Sequence, residues 1–455
     1  MIVKKNINRV YYLFLFSHLV IWTIAPSLTN VNLPLDTIEA LAWGSNLEWG
    51  FNKHPPLSAF AVEIFYNIFG RQDWAYYFLS QLFVITAFIA VFKFAYEFFN
   101  DLNLALISVL LLEGIFFFNY TSPEFNVNIA QLPFWAISVF LTWRCIKYNK
   151  VTDYAFLGLT MGLGFLSKYL FLYLIVSIKL LFIKLLINKK IKSFNFLITA
   201  PVALVVIFPH LLWLVDNNYV TLNYGLNRAQ GGSDLINHIV FPLTFILKQL
   251  VLLLPLFIMT FFLLKKNKIS KIKLEEKTIF LIFICFLPIL FMIMTSTILG
   301  AKIRTMWMTP FYLFAGVAII HFFRMNIEKK NFRRFNIIFL CFFFISPLTY
   351  SIVSLSNDFK RTDYPGQEIA RLVQNKWDNN FRNEINVVVG DEWAAGNLSY
   401  HLVSRPKWFK TLEGTKNFQD LGGVVYAGNP SILKKICPGE YGTIKPTGYC
   451  MIGKR

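Results

Sequence analysis

The chain has 455 residues, 56% of them hydrophobic and 18% aromatic, with 49 Phe, only 15% charged residues and a mean hydropathy of +0.52. Long apolar runs recur over most of its length, and runs of about 18 or more residues are membrane-span candidates, so a soluble globular protein is excluded. A net charge of +19 would suggest nucleic acid in a soluble chain. Here Lys and Arg fall mostly in short loops between apolar runs, the pattern that orients spans, and nucleic-acid binding is set aside.

In chain order, Lys4, Lys5 and Arg9 precede an apolar stretch over 10–28 that resembles a signal peptide. It is long for one and lacks a small-residue cleavage site, so it is read as an uncleaved first span with a cytoplasmic N-terminus. With that span at 10–29, others are predicted near 75–97, 104–119, 128–146, 154–167, 169–187, 195–215, 238–264, 278–298, 305–323 and 335–354, about eleven in all. Alternation then places four basic segments inside: 144–147, 189–192, 265–277 and 324–334. The loops left outside (30–74, 120–127, 216–237 and 299–304) are not basic runs.

Residues 1–355 are therefore read as a membrane domain that includes a first periplasmic loop at 30–74, and 356–455 as a small periplasmic α/β domain. Helical periodicity over 365–381 and 393–402 alternates there with strand-like runs at 385–389 and 424–426. Cys437 and Cys450 lie in its Pro/Gly-rich tail, where an oxidising compartment favours a structural disulfide. Cys145, Cys285 and Cys341 lie in or at the ends of spans as small hydrophobes.

The first loop carries the chemistry. A helix beginning after Pro34 puts Asp36 and Glu39 on one face, either as an active carboxylate pair or as a first-turn acid with a solvated neighbour. Lys53-His54-Pro55-Pro56 then makes a stiff corner, because residues preceding proline are held extended, and Pro56 can open a new helix. Glu113 falls within a span, where an isolated carboxylate is costly and therefore paired or functional. Glu124, Asn126, Asn128, Lys168, Arg228, Lys302 and Arg304 all lie on the outer side. Basic groups there run against the orienting trend and call for an anionic partner, of which a phosphate at the bilayer surface is the natural one. No Gly-rich nucleotide loop is present.

Several motifs resemble those of bacterial GT-C glycosyltransferases, in particular family-39-like enzymes related to protein O-mannosyltransferases and lipid A aminoarabinose transferases. They are Asp36-x-x-Glu39 with Trp43-Gly44, Glu48-Trp49-Gly50-Phe51-x-Lys53-His54-Pro55-Pro56-Leu57, and Phe125-Asn126-Val127-Asn128. The series continues through 162–169, Pro209-His210-Leu211-Leu212-Trp213, Lys302-x-Arg304-Thr305-Met306-Trp307-x-x-Pro310 and 390–397. The resemblance implies a polytopic GT-C fold that transfers a sugar from a polyprenyl-phosphate carrier to a periplasm-facing acceptor, with Asp36 at the catalytic centre. Many relatives have Asp-Glu adjacent, whereas Asp36 is followed here by Thr37, with Glu39 further on.

The expected site is thus Asp36 and Glu39 as catalytic carboxylates, with Lys53, His54, Lys168, Lys302 and Arg304 for the donor phosphate. Glu124, Asn126, Asn128 and Arg228 are assigned to acceptor or sugar. No cofactor is assigned with certainty, and a divalent metal is left open, since some relatives bind one near the first loop. Lipid A or another envelope glycolipid is the expected acceptor, protein hydroxyls come next, and the location is a bacterial inner membrane. The rival reading is a transporter or flippase of polyprenyl-linked saccharides. Such proteins show internal repeats and midplane charges, whereas this chain concentrates polar groups at one face.

Overall fold

The computed structural model describes residues 4–191, 194–229, 234–264, 275–324, 327–357, 359–411, 422–445 and 447–455. Lys192 and most of the basic segment read at 265–277 lie outside the described residues.

Among the described residues, seven helices are long and apolar enough to cross a membrane: Asn6–Thr29, Asp73–Phe99, Val127–Tyr148, Tyr169–Ile187, Asn195–Asp216, Glu276–Leu299 and Lys329–Ser356. Two more predicted spans are bent pairs, Asn237–Leu252 with Leu254–Leu263 (51°) and Thr305–Tyr312 with Ala315–Phe322 (60°). The remaining two, Leu102–Gly114 and Val151–Ser167, are shorter apolar helices. Every predicted span is thus a helix, but the count of full-length crossings is seven, or nine with the bent pairs, rather than eleven.

The expected span at 104–119 stops short for an identifiable reason. Its α-helix ends at Leu110 and gives way to 3-10 turns at Leu111–Gly114 and Phe116–Phe118. Irregular backbone at membrane depth must be satisfied internally, since each orphaned group costs several kcal/mol. Asn119 Nδ2 donates to the Glu113 carbonyl at 2.8 Å, and the buried Glu113 carboxylate pairs with His18 Nδ1 at 2.6 Å. Glu113 is therefore paired inside the bundle.

Two helices of the first loop lie at one end of the bundle. Pro34 supplies the extended residue that enters Leu35–Gly44, and Pro56 precedes Leu57–Phe69. Both follow from proline's fixed φ and missing N–H, which suit a first helical turn.

The C-terminal domain packs on these helices. It holds helices Gly366–Asn380, Ala394–His401 and Pro430–Ile436. Its strands are β1 (Ile385–Val389), β2 (Lys407–Phe409), β3 (Gly423–Gly428), β4 (Glu440–Ile444) and β5 (Thr447–Ile452). The sheet order is β2-β1-β3-β5-β4, with the first three strands parallel and β5 antiparallel to both neighbours. A Cys437–Cys450 disulfide ties the end of the last helix to β5.

Docking is intimate. Trp43, Phe51 and Ala59 of the first loop share one buried apolar cluster with Trp377, Leu398 and Trp408 of the domain. Gly396 lies so close to the loop helix that a Cβ there would come within 3.2 Å of both Ala42 and Ile38. The amides of Val31 and Asn32 donate to Thr362 O at 3.0 and 2.9 Å, which sews the interdomain linker onto the start of the loop.

Candidate active site

Asp36 stands in the first turn of Leu35–Gly44, and its backbone N–H donates to Glu124 Oε1 at 3.1 Å. This brings the two carboxyl groups together from loops 88 residues apart. Burial pushes the Asp36 carboxyl up, while Lys168, Lys53, Arg228 and Arg361, in that order, pull it down. Glu124 is pushed up to about 8 by burial and then by Asp36 beside it. Two neighbouring carboxylates cannot both ionise cheaply, so burial and their mutual repulsion favour a proton on the pair.

Glu39 is one helical turn on and almost fully buried. Its carboxylate binds Lys53 Nζ, and the same ammonium lies 3.1 Å from Glu392 Oε1 of the C-terminal domain. Burial raises Glu39 to about 7 against the pull of Lys53. Glu392 also accepts from Asn52 Nδ2 at 3.3 Å, and although burial opposes it, Lys53 holds its carboxyl below the usual range.

His54 forms the corner's inner side, edge-on to Trp43 and Tyr224. Burial, aided by Lys168, Lys53 and Arg228, lowers it to about 3. It is therefore neutral at physiological pH. It can offer a phosphate a hydrogen bond, without the charge of a protonated imidazole.

Lys168 occupies an extended residue between two helices, and its ammonium donates to Asn128 Oδ1 and sits 5.4 Å from the Trp307 ring. Burial draws it down to about 7, with Asp36 opposing. Asn126 is a helix cap, accepting from the amides of Asn128 and Ile129 at 2.8 and 3.2 Å. Arg228 is exposed, stacks over Tyr224 and acts on Asp36 through space. Lys302 and Arg304 are exposed on the segment leading to Trp307, and the structure does not bring them into the set of cations acting on Asp36.

The motif around His210 braces the same loop. His210 Nδ1 donates to Trp49 O at 2.6 Å, which leaves Nε2 to accept from Tyr169 Oη at 2.7 Å. Trp213 Nε1 donates to Glu48 at 3.1 Å. Gly50 is needed beneath that indole, because a Cβ would lie 2.3 Å from its ring.

Two site members escaped sequence reasoning. Arg361 lies in the linker with no motif around it. Glu392 belongs to the 390–397 motif, but its pairing with Lys53 spans 339 positions and depends on docking. Among the described residues no three His, Cys, Asp or Glu side chains are grouped as metal ligands. Glu39 and Glu392 are engaged by Lys53, and Glu124 by the Asp36 amide. The donor set does not fit a divalent ion, and no step below uses one.

A sequence model of the family described as dolichyl-phosphate-mannose-protein mannosyltransferase matches residues 53–213. Among solved structures, the fold is similar to that of ArnT from Cupriavidus metallidurans bound to undecaprenyl phosphate. The TM-score is 0.64 at 11% identity, over 97% of each chain. The apo form of the same protein matches at 0.53, again at 11% identity over 97% of each chain. No curated protein sequence matches the chain.

Proposed function

We propose that this protein is a bacterial inner-membrane glycosyltransferase that moves a sugar from a polyprenyl-phosphate carrier to a periplasm-facing acceptor, with lipid A or another envelope glycolipid as that acceptor. The observation that carries this reading is the Asp36–Glu124 carboxyl pair, set among Lys53, Lys168, Arg228 and Arg361. Burial and mutual repulsion favour a proton on this carboxyl pair, so less negative charge opposes the surrounding cations, which suits a phosphate. The undecaprenyl phosphate bound by the ArnT relative is the chemistry such a site would take.

In the reaction, an acceptor oxygen attacks the anomeric carbon and the bond from that carbon to the phosphate oxygen breaks. The carrier phosphate leaves with the electron pair, stabilised by Lys53 and Lys168. For a hydroxyl acceptor, Asp36 takes the proton, and its raised carboxyl is better matched to that task than a solvated one. For an acceptor already anionic, Asp36 positions it and stabilises developing positive charge on the sugar ring.

The two bent helix pairs favour the rival transporter reading, since discontinuous helices line transporter sites. The cations acting on Asp36 gather at the loop end instead, and the buried His18–Glu113 pair is the exception inside the bundle. Mass spectrometry of lipid A and envelope glycolipids from a deletion strain separates the two. A sugar-sized mass should disappear and return with the wild-type chain but not with Asp36→Asn. An unchanged glycolipid profile would remove lipid A as acceptor, and restoration by Asp36→Asn would favour transport.

A further inference from the structure

Beyond the linker residue Arg361, the C-terminal domain reaches the site through Glu392, to which the proposed reaction gives no role. Asp391 Oδ1 caps the docking helix by accepting from the amides of Trp393 and Ala394 at 2.8 and 2.7 Å, which fixes the backbone on both sides of Glu392. Asn52 Nδ2, the neighbour of Lys53, grips Glu392 Oε1 at 3.3 Å. The ammonium is left between two carboxylates, Glu39 from the loop and Glu392 from the domain.

We infer that Glu392 is a positioning residue for the carrier phosphate, acting through Lys53, so that the docked C-terminal domain is a working part of the donor site. An ammonium has three N–H donors on a flexible four-carbon stem. Glu39 and Glu392 each take one and freeze that stem, and the third is left for an anion. The lysine keeps partial exposure, so an incoming phosphate can reach it. Neither carboxylate alone fixes the ammonium in two directions. With Glu392 gone, Lys53 can swing about its contact with Glu39, and its positive end is no longer held for the phosphate.

This rests on the reading of Lys53 as a donor-phosphate ligand, and a double-mutant cycle tests the two separately. Full-length protein in lipid nanodiscs is titrated with undecaprenyl phosphate, comparing wild type, Lys53→Ala, Glu392→Gln and the double variant. Lys53→Ala should weaken binding by about tenfold or more and Glu392→Gln by about three- to fivefold, with the double variant no weaker than Lys53→Ala alone. If Lys53→Ala binds as wild type, the phosphate reading of Lys53 fails. If Lys53→Ala is weakened while Glu392→Gln is not, or if the two losses multiply, that reading stands and the positioning role fails.

A domain that merely holds the fold together would give multiplying losses. Should Glu392→Gln not accumulate as folded protein, Glu392→Asp replaces it in the cycle. It keeps the charge and shortens the reach by one methylene, and it should show the same absence of any further loss on top of Lys53→Ala.

Discussion

Arg405 is a polar link between the C-terminal domain and the first loop, and its removal should loosen the domain measurably. Its guanidinium donates to Glu63 Oε2 at 2.5 Å and to Leu41 O at 2.6 Å. It also reaches Ser399 O at 3.0 Å and lies 4.3 Å from the centroid of the Tyr66 ring. The Arg405 and Glu63 side chains keep only 13% and 10% exposure, so truncating the arginine strands a nearly buried carboxylate. Breaking such a pair costs about 3–5 kcal/mol, and the remaining exposure places this one near the lower end. Loss of the ring contact adds about 0.5–1 kcal/mol. A total of about 3–4 kcal/mol corresponds to roughly a hundred- to thousandfold rise in the undocked fraction. Hydrogen exchange of the amides over 394–401 reads this directly, with the exposed Lys407→Ala as control. Exchange in Arg405→Ala that matches the wild type would refute the reasoning.

Glu124→Gln should remove a pH dependence of stability. A carboxyl whose folded pKa is raised to about 8 contributes stability that is full below the ordinary carboxyl range and is lost as pH rises through about 8. The wild type should therefore lose melting temperature relative to Glu124→Gln between about pH 5 and 8, and a constant difference across that range would count against the protonated pair. Gly316→Ala should lower the melting temperature by several degrees, because its Cβ would lie 2.2 Å from the backbone oxygen of Ser108 and overpacking costs about 1–3 kcal/mol. Gly225→Ala, inside a helix and with no heavy atom within 4 Å, is the matched control and should not lower it, since Ala is the better helix former.

The parts of this protein legible in the sequence are those governed by local physics. Apolar runs located every span, and proline stereochemistry located both loop helices together with the Lys53–Pro56 corner. Alternation of helix and strand outlined the start of the C-terminal domain. The short strands β2, β4 and β5 were not anticipated, since three to six residues beside turns carry little periodicity. Within the candidate site, residue type pointed to Asp36, Lys53, Glu124 and Lys168, but their partners were set by tertiary contacts. Asn126 is spent on a cap, and Asn128 orients Lys168. His54 is neutral because its surroundings are both buried and cationic, which no local motif encodes. Glu392 and Arg361 join through docking of chain segments more than 300 positions from Asp36.

The central claim is that sugar leaves a polyprenyl-phosphate carrier at the Asp36 carboxylate. Its most direct test is a chase of radiolabelled sugar from the polyprenyl-linked pool in membranes holding equal amounts of folded wild type or Asp36→Asn. Label should pass from the carrier pool to the acceptor with the wild type and stay in the carrier pool with the variant. Transfer by Asp36→Asn at the wild-type rate would contradict the account.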